Sequence, residues 1–231
     1  MEYRVENKYL VTDCDLKIIE NRIAYLMKKD AHLIEDSYEI RSIYFDDIND
    51  SCMDENESGI DKRNKYRIRI YNAQKDNIKL EIKEKFRGYT KKQSCILSYD
   101  EYDSIMSGKN CLSFDDRKPL NQLILKMRIE KFTPKVLVTY ERTAYVNKAG
   151  NVRVTFDKNI SGCRDFKSFF NPTLKNSIPI LPASVHILEV KYDEFLPDVI
   201  KQQLQLDHLQ KTAFSKYYLC RKALDFNFPY I

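Results

Sequence analysis

The chain has 231 residues, with 39 Lys and Arg against 34 Asp and Glu, and only five glycines and seven prolines. That length suits a single β-rich domain, 1–231, able to bury its own core, and the composition excludes a disordered or low-complexity chain. A net charge of +5 is too small for a general nucleic-acid coat, and no apolar run reaches the ~18 residues of a membrane helix.

Residues 3–10 alternate, placing Arg4, Glu6 and Lys8 on one strand face and Tyr3, Val5 and Tyr9 on the other. Thr12 or Asp13 can cap a helix in which Leu16, Ile19, Ile23, Leu26 and Met27 recur at helical spacing to about residue 28. Residues 39–46 form a strand with Ser42, Tyr44 and Asp46 opposed to Ile43 and Phe45, and a polar loop covers 47–64.

Residues 65–85 read as a β-hairpin. Lys65-Tyr-Arg-Ile-Arg-Ile-Tyr71 sets Arg67, Arg69 and Tyr71 against Ile68 and Ile70. Ile78-Lys-Leu-Glu-Ile-Lys-Glu-Lys85 sets Lys79, Glu81, Lys83 and Lys85 against Ile78, Leu80 and Ile82, with a turn at 72–77. A solvated sheet face explains one such hairpin, but a solvated face ordinarily mixes signs, because like charges opposite each other destabilise a sheet.

Residues 86–97 form a basic link with a turn at Gly88. Ser98-x-x-Glu101 is a capping box that starts a short helix ended by Gly108. Pro119 opens a helix that finishes near 131. Strands follow at 135–144, with Val138, Tyr140 and Arg142 together, and at 152–157, with Arg153, Thr155 and Asp157 together. Residues 161–184 make a surface excursion, and 185–192 a strand with Glu189 and Lys191 on one side. Helices are expected from Leu196-Pro-Asp through 206 and at 212–224, the last packing through Phe214, Tyr217, Cys220, Ala223 and Leu224.

The polar strand faces together hold ten cations, Arg4, Lys8, Arg67, Arg69, Lys79, Lys83, Lys85, Arg142, Arg153 and Lys191, against four acids, Glu6, Glu81, Asp157 and Glu189. Closed into a barrel, the sheet would turn these faces inward, and so many enclosed cations demand a multiply charged anion. A linear polyphosphate suits spaced Lys and Arg, and one or two carboxylates among them suit a divalent metal that bridges phosphates. The six cysteines lack C-x-x-C spacing and the start of the chain lacks an apolar leader, which reads as free thiols in a reducing, cytoplasmic setting. His32, His186 and His208 lack ligand spacing. The cysteines are expected as core residues, and any work at a membrane would need another, membrane-bound partner protein.

The motifs are Glu6-x-Lys8-Tyr9, Ser42-Ile-Tyr-Phe-Asp46, Lys65-Tyr-Arg-Ile-Arg69, Lys79-x-Glu81-x-Lys83, Tyr140-x-Arg142-Thr143, Val152-Arg153-Val154, Leu188-Glu189-Val190-Lys191 and Phe214-Ser215-Lys216-Tyr217. In order and spacing they resemble the VTC-type polyphosphate polymerase domain, a branch of the triphosphate tunnel (CYTH-like) superfamily, over residues 3–224. The resemblance implies an α+β fold, a closed eight-stranded antiparallel β tunnel with helices packed outside. The implied activity is transfer of the ATP γ-phosphate to inorganic polyphosphate with Mn²⁺ or Mg²⁺. By motif it implies phosphate-binding roles for Lys8, Arg67, Arg69, Lys83, Arg142, Arg153 and Lys216, with Lys83, Arg69, Arg142 and Lys216 as the catalytic set. Tyr140 and Ser215 would add hydrogen bonds, Glu189 would hold the metal, and Lys91 (or Lys92) matches a further family lysine. Lys79 and Lys85 are then rim charges, and Glu81 a structural counter-charge.

Two departures are visible. Many tunnel triphosphatases begin Glu-x-Glu-x-Lys where this chain has Arg4-x-Glu6-x-Lys8, which favours the polymerase branch over hydrolysis. A second family lysine, three residues before Lys216, is Ala213 here, with Lys211 close but out of register. Alternatives are a non-catalytic module binding polyphosphate or inositol phosphate, and a tunnel triphosphatase or nucleotide cyclase. A nucleic-acid partner is not expected, because a closed lumen cannot admit a duplex.

Overall fold

The computed structural model describes residues 4–30, 36–109 and 112–226, so Tyr3, His32 and Cys111 lie outside the described residues. β1 (Val5–Thr12) runs into α1 (Asp13–Ile23) through a capping box, in which the Thr12 side chain accepts from the Asp15 amide and the Asp15 carboxylate accepts from the Thr12 N–H. α1 stops at Ile23, short of the expected 28. β2 (Lys28–Lys29) and β3 (Tyr38–Asp46) follow. α2 (Ser51–Glu57) occupies part of the expected polar loop, burying Cys52 and Met53.

β4 (Arg63–Tyr71) and β5 (Ile78–Phe86) form the hairpin. β6 (Tyr89–Leu97) stands where a basic link was expected. Arg87 and Gly88, at φ of 49° and 80°, fold the chain straight back in a turn that needs two left-handed residues. The strand hides from pattern reading because, as a sheet edge, it needs little apolar surface.

α3 (Tyr99–Met106) begins at the predicted Ser98–Glu101 capping box, and α4 (Lys118–Ile129) carries Pro119 in its first turn. β7 (Thr133–Asn147), β8 (Val152–Cys163), β9 (Ile178–Pro179) and β10 (Val185–Tyr192) complete the strands, and α5 (Asp198–Leu204) and α6 (Lys216–Phe226) the helices. α6 starts four residues later than expected, because the chain before it runs along β1: Leu10 N–H donates to the Gln210 carbonyl (3.3 Å) and Thr212 N–H to the Lys8 carbonyl (2.9 Å).

The strands form one antiparallel sheet in the order β1-β10-β8-β7-β3-β4-β5-β6, with β2 on β7 and β9 on β8. It curls until its edges touch. Among the described residues β1 and β6 meet at one bridge, where Arg4 and Thr90 exchange backbone hydrogen bonds of 3.2 and 3.3 Å. The observed architecture is therefore α+β with a curled, open antiparallel sheet, in place of the fully closed tunnel expected.

The helices bury the apolar strand faces. α1 and α5 cover β1, β10 and β8 through Leu16, Ile19, Ile23, Ile200 and Leu204 against Val154, Phe156, Leu188 and Val190. α3 and α4 place Tyr102, Ile105, Leu120, Leu123 and Ile124 in the second core with Ile68, Ile70, Leu80 and Ile82. α6 packs on β7 and β8 at Gly162, where an added Cβ would come within 2.7 Å of Cys220 Cβ. Cys52, Cys163 and Cys220 are buried free thiols, whereas Cys14 is exposed. No helix among the described residues is long and apolar enough to cross a membrane.

Candidate functional site

The concave face of the sheet encloses a cavity of about 180 Å³. Ten basic side chains line it: Lys8, Arg63, Lys65, Arg67, Arg69, Lys83, Lys85, Arg142, Lys191 and Lys216. Glu6 and Glu189 share the lining, with Tyr44, Tyr140 and the stretch 212–217 that enters α6.

Carboxylates lie within 4 Å of seven of these cations, and three of the pairings follow from strand register. Arg67 lies opposite Glu81 in the β4–β5 ladder, Arg142 opposite Asp157 in β7–β8, and Lys8 opposite Glu189 in β1–β10.

Glu81 accepts from Arg67 Nε at 2.8 Å and Nη2 at 2.7 Å, lies 3.7 Å from Arg69 Nη1, and accepts from Lys92 Nζ at 3.2 Å. Arg67 also donates to the Tyr44 hydroxyl (2.9 Å), and Arg69 to Ser42 Oγ and the Tyr140 hydroxyl (3.1 Å each). Burial pushes the Glu81 carboxyl up, but Arg67, Arg69 and Lys92 outweigh it and hold the group well below the usual carboxylate range. Glu81 is thus the buried counter-charge of Arg67 and Arg69.

Asp157, fully buried, accepts a bidentate pair from Arg142 (2.6 and 2.7 Å) and a 2.6 Å bond from Lys216 Nζ. Both cations lie over the Tyr140 ring, at 5.2 and 4.8 Å from its centroid. Burial of Asp157 is overcome by Arg142 and Lys216, so its carboxyl is held far down.

Glu6 and Glu189 lie side by side. Lys83 Nζ donates to both Glu6 oxygens (2.8 and 2.9 Å), Lys8 lies 3.3 Å from Glu6 and 3.9 Å from Glu189, and Lys191 3.7 and 3.0 Å from the same two. Arg142 reaches Glu189 at 3.5 Å. Burial raises the Glu6 carboxyl, yet Lys83, Lys191 and Lys8 hold it well below its ordinary value. Glu189 is lowered as well: burial and Glu6 oppose the shift, and Lys191 and Lys8 prevail.

The lysines do not all keep their protons equally. Lys8 is raised, since Glu6 and Glu189 outweigh its burial. Lys83 is pushed down to about 8 by burial, with Glu6 opposing and Lys8 and Lys191 adding to the shift. Lys65 falls well below the lysine range, through burial first and then through Lys8, Lys83 and Arg63. Cations this enclosed, with too few carboxylates, make a receptor for a compact polyanion.

Of the residues proposed from sequence, Lys8, Arg67, Arg69, Lys83, Tyr140, Arg142, Glu189, Ser215 and Lys216 converge on the cavity. Arg153 and Lys91 do not. Arg153 is engaged by Asp30 (2.6 Å) and the Tyr38 hydroxyl (3.2 Å), outside the lining. Lys91 pairs with Glu84, which puts it on the outer face of the sheet; Lys92, opposite Lys83, is the lysine on the inner face. Of the two rim charges, Lys85 lines the cavity, whereas Lys79 lies over the Tyr71 ring at 5.5 Å. Ala213 is in the lining and Lys211 is exposed, paired through its backbone with Tyr9, so Lys211 does not replace the missing lysine. Lys65 and Arg63 are not in the sequence-derived set, although they continue the alternation of Arg67 and Arg69 backwards by two and four residues. His186 is bonded to Asp13 at 2.8 Å, which accounts for it structurally.

A family model described as VTC domain matches residues 3–225. Among solved structures the chain is similar to a putative adenylate cyclase of Bacillus halodurans, with 13% identity, 97% of each chain covered and a TM-score of 0.52. It is also similar to a protein of Pyrococcus horikoshii, with 14% identity, 90% of this chain and 94% of that one, and a TM-score of 0.46. A conserved hypothetical protein of Pyrococcus furiosus gives 11% identity, coverage of 87% and 86%, and a TM-score of 0.44. At these identities the likeness is one of fold, and it rests on the first. No curated protein matches the chain.

Proposed function

The chain belongs to the VTC-domain family, and from that premise we propose that it transfers the γ-phosphate of ATP to a growing inorganic polyphosphate chain in this cavity. One observation carries the reading: ten cations converge on a small space with too few carboxylates to balance them. In this reading the curled sheet acts as the wall of a phosphate tunnel in the cytoplasm.

Arg67, Arg69, Arg142 and Lys216 would hold the donor triphosphate, each already aimed by Glu81 or Asp157, with Tyr140 and Ser215 adding hydrogen bonds and Lys8 and Lys83 facing the transferring group. An oxygen of the acceptor's terminal phosphate attacks the γ-phosphorus, the bond to the β–γ bridging oxygen breaks, and ADP leaves with that electron pair. No side-chain nucleophile is required, because positioning and charge stabilisation carry phosphoryl transfer. The adjacent carboxylates of Glu189 and Glu6 are the residues that would hold a Mn²⁺ or Mg²⁺ ion, with phosphate oxygens and water needed to complete its shell, since no group of three ligand side chains occurs among the described residues. Such an ion, when bound, would neutralise charge on the phosphates.

Incubation with ATP and Mn²⁺, following ADP, free phosphate and polymer separately, tests the reading. ADP together with polymer supports it. Phosphate or pyrophosphate without polymer points to a triphosphatase or cyclase, and binding without turnover to a non-catalytic module; either overturns it.

Two further outcomes follow from the electrostatics. Glu189→Gln should weaken Mn²⁺ binding, read from the paramagnetic signal of free Mn²⁺, and tighten metal-free tripolyphosphate binding, since it removes a negative charge. Unchanged Mn²⁺ affinity would exclude Glu189 as a ligand. A bound polyanion should also restore the proton affinities of Lys83 and Lys65, so binding near pH 8 takes up protons. Affinity is then full below the free-state value of Lys83, about 8, and falls as pH rises through it. Calorimetry in buffers of different ionisation enthalpy reads the uptake, and a zero value at pH 8 contradicts the assignment.

A further inference from the structure

Tyr44, on β3, lines the cavity and is buried. Its hydroxyl accepts from Arg67 Nη1 at 2.9 Å, much as the Tyr140 hydroxyl accepts from Arg69 Nη2 at 3.1 Å. A phenol also has one hydrogen to give. Among the described residues no hydrogen bond takes the hydrogen of Tyr44. Its charged neighbours cannot take it: Arg67 and Arg69 from β4 and Lys216 from α6 act on it, and guanidinium and ammonium groups are donors only. Glu81 of β5 already accepts from Arg67 and Lys92.

The packing holds this hydroxyl in place. The Tyr44 ring lies 5.2 Å from the Tyr217 ring, tilted by 31°. Tyr217 in turn donates to Asp46 at 2.5 Å, and Asp46 is itself fixed by the amides of Cys52 and Met53 at 2.9 and 3.1 Å. Phenylalanine would fill the same space without burying a polar group that is only half used, which carries a cost. Burial pushes the Tyr44 phenol up, but Arg67, Arg69 and Lys216 outweigh it and draw it below the ordinary tyrosine value. An anion seated among these cations would relieve that pull and supply the missing acceptor.

We propose that Tyr44 is a further ligand-contacting residue of the cavity, its hydroxyl donating to an oxygen of the phosphate that Arg67 and Arg69 hold. The inference rests on the polyphosphate reading above. It adds a neutral, directional donor to a wall of charges, so that the arginines supply attraction and Tyr44 fixes how the phosphate is turned.

The test compares tripolyphosphate binding by calorimetry, at neutral pH and without divalent metal, in the wild type and Tyr44→Phe. The variant should bind about tenfold more weakly, as expected for one hydrogen bond to a charged acceptor, with a ligand-free melting temperature close to that of the wild type. Were Tyr44 only a resting partner for Arg67, its removal would free Arg67 for the ligand; unchanged or tighter binding therefore overturns the proposal. A second measurement stands even if the variant folds poorly. Just below the ordinary tyrosine value of about 10, saturating tripolyphosphate should return the proton to Tyr44, read as a loss of tyrosinate absorbance in the near ultraviolet. That loss should be missing in Tyr44→Phe where the variant folds. No loss in the wild type overturns the proposal as well. A wild type that does not bind tripolyphosphate at all sinks the polyphosphate reading itself, a result distinct from failure of Tyr44 alone.

Discussion

Arg142→Ala should abolish tripolyphosphate binding and cost the folded protein about 3–5 kcal/mol, the penalty for stranding one partner of a buried ion pair. Asp157 has no exposed surface, and its carboxylate depends on the two-pronged bond from Arg142 and one bond from Lys216. Without Arg142, Lys216 must serve Asp157 alone, and it is no longer available to a phosphate. For a domain of this size the loss corresponds to a melting temperature lower by roughly 10 °C. Arg142→Lys keeps the charge without the fork, so it should recover part of the stability and less of the binding.

The pH dependence carries the same signature. The Asp157 carboxyl is depressed in the fold, so its contribution is complete above the unfolded carboxylate range, near 4, and is lost as pH falls below it. The wild type should lose stability over that acid range more steeply than Arg142→Ala. Coincident melting curves for the two proteins would mean that the Arg142–Asp157 pair contributes nothing.

How much of this was readable in the sequence depended on what the pattern encodes. Alternation assigns a residue to a face, and for Arg67, Arg69, Lys83 and Arg142 the face was enough, since all four reach the cavity. Alternation says nothing about which residue stands opposite, and the anchors Arg67–Glu81, Arg142–Asp157 and Lys8–Glu189 are all matters of register. Lys91 shows the cost of a motif match made without parity, because the inward-facing neighbour is Lys92. Arg153 sits on the correct face, opposite Lys191, but at a level where Asp30 and Tyr38 take its side chain.

The fold shows the same division. Capping residues placed the starts of α1 and α3, since that signal is local. The curl of the sheet and the bridge from Arg4 to Thr90 depend on contacts between residues far apart in the chain, which no local pattern carries. α6 begins late for a related reason: residues 210–212 are used along β1 before the helix can start.

Glu81→Gln separates a counter-charge from a metal ligand. Glu81 is buried and is the carboxylate nearest both Arg67 and Arg69, so its neutralisation leaves two enclosed guanidinium groups without an anion. The unliganded variant should be less stable by about 3–5 kcal/mol. Tripolyphosphate supplies negative charge to the same two arginines, so ligand should recover much of the loss. In the wild type a ligand at a hundredfold excess over its Kd adds about 2.7 kcal/mol, and the variant should gain more, because binding there also relieves the stranded cations. Melting temperatures with and without tripolyphosphate, in the absence of divalent metal, read this directly. If Glu81 held a metal instead, its replacement would leave the metal-free ligand response unchanged. A ligand-induced rise in the variant no larger than in the wild type would therefore refute the view that Glu81 is the counter-charge of Arg67 and Arg69.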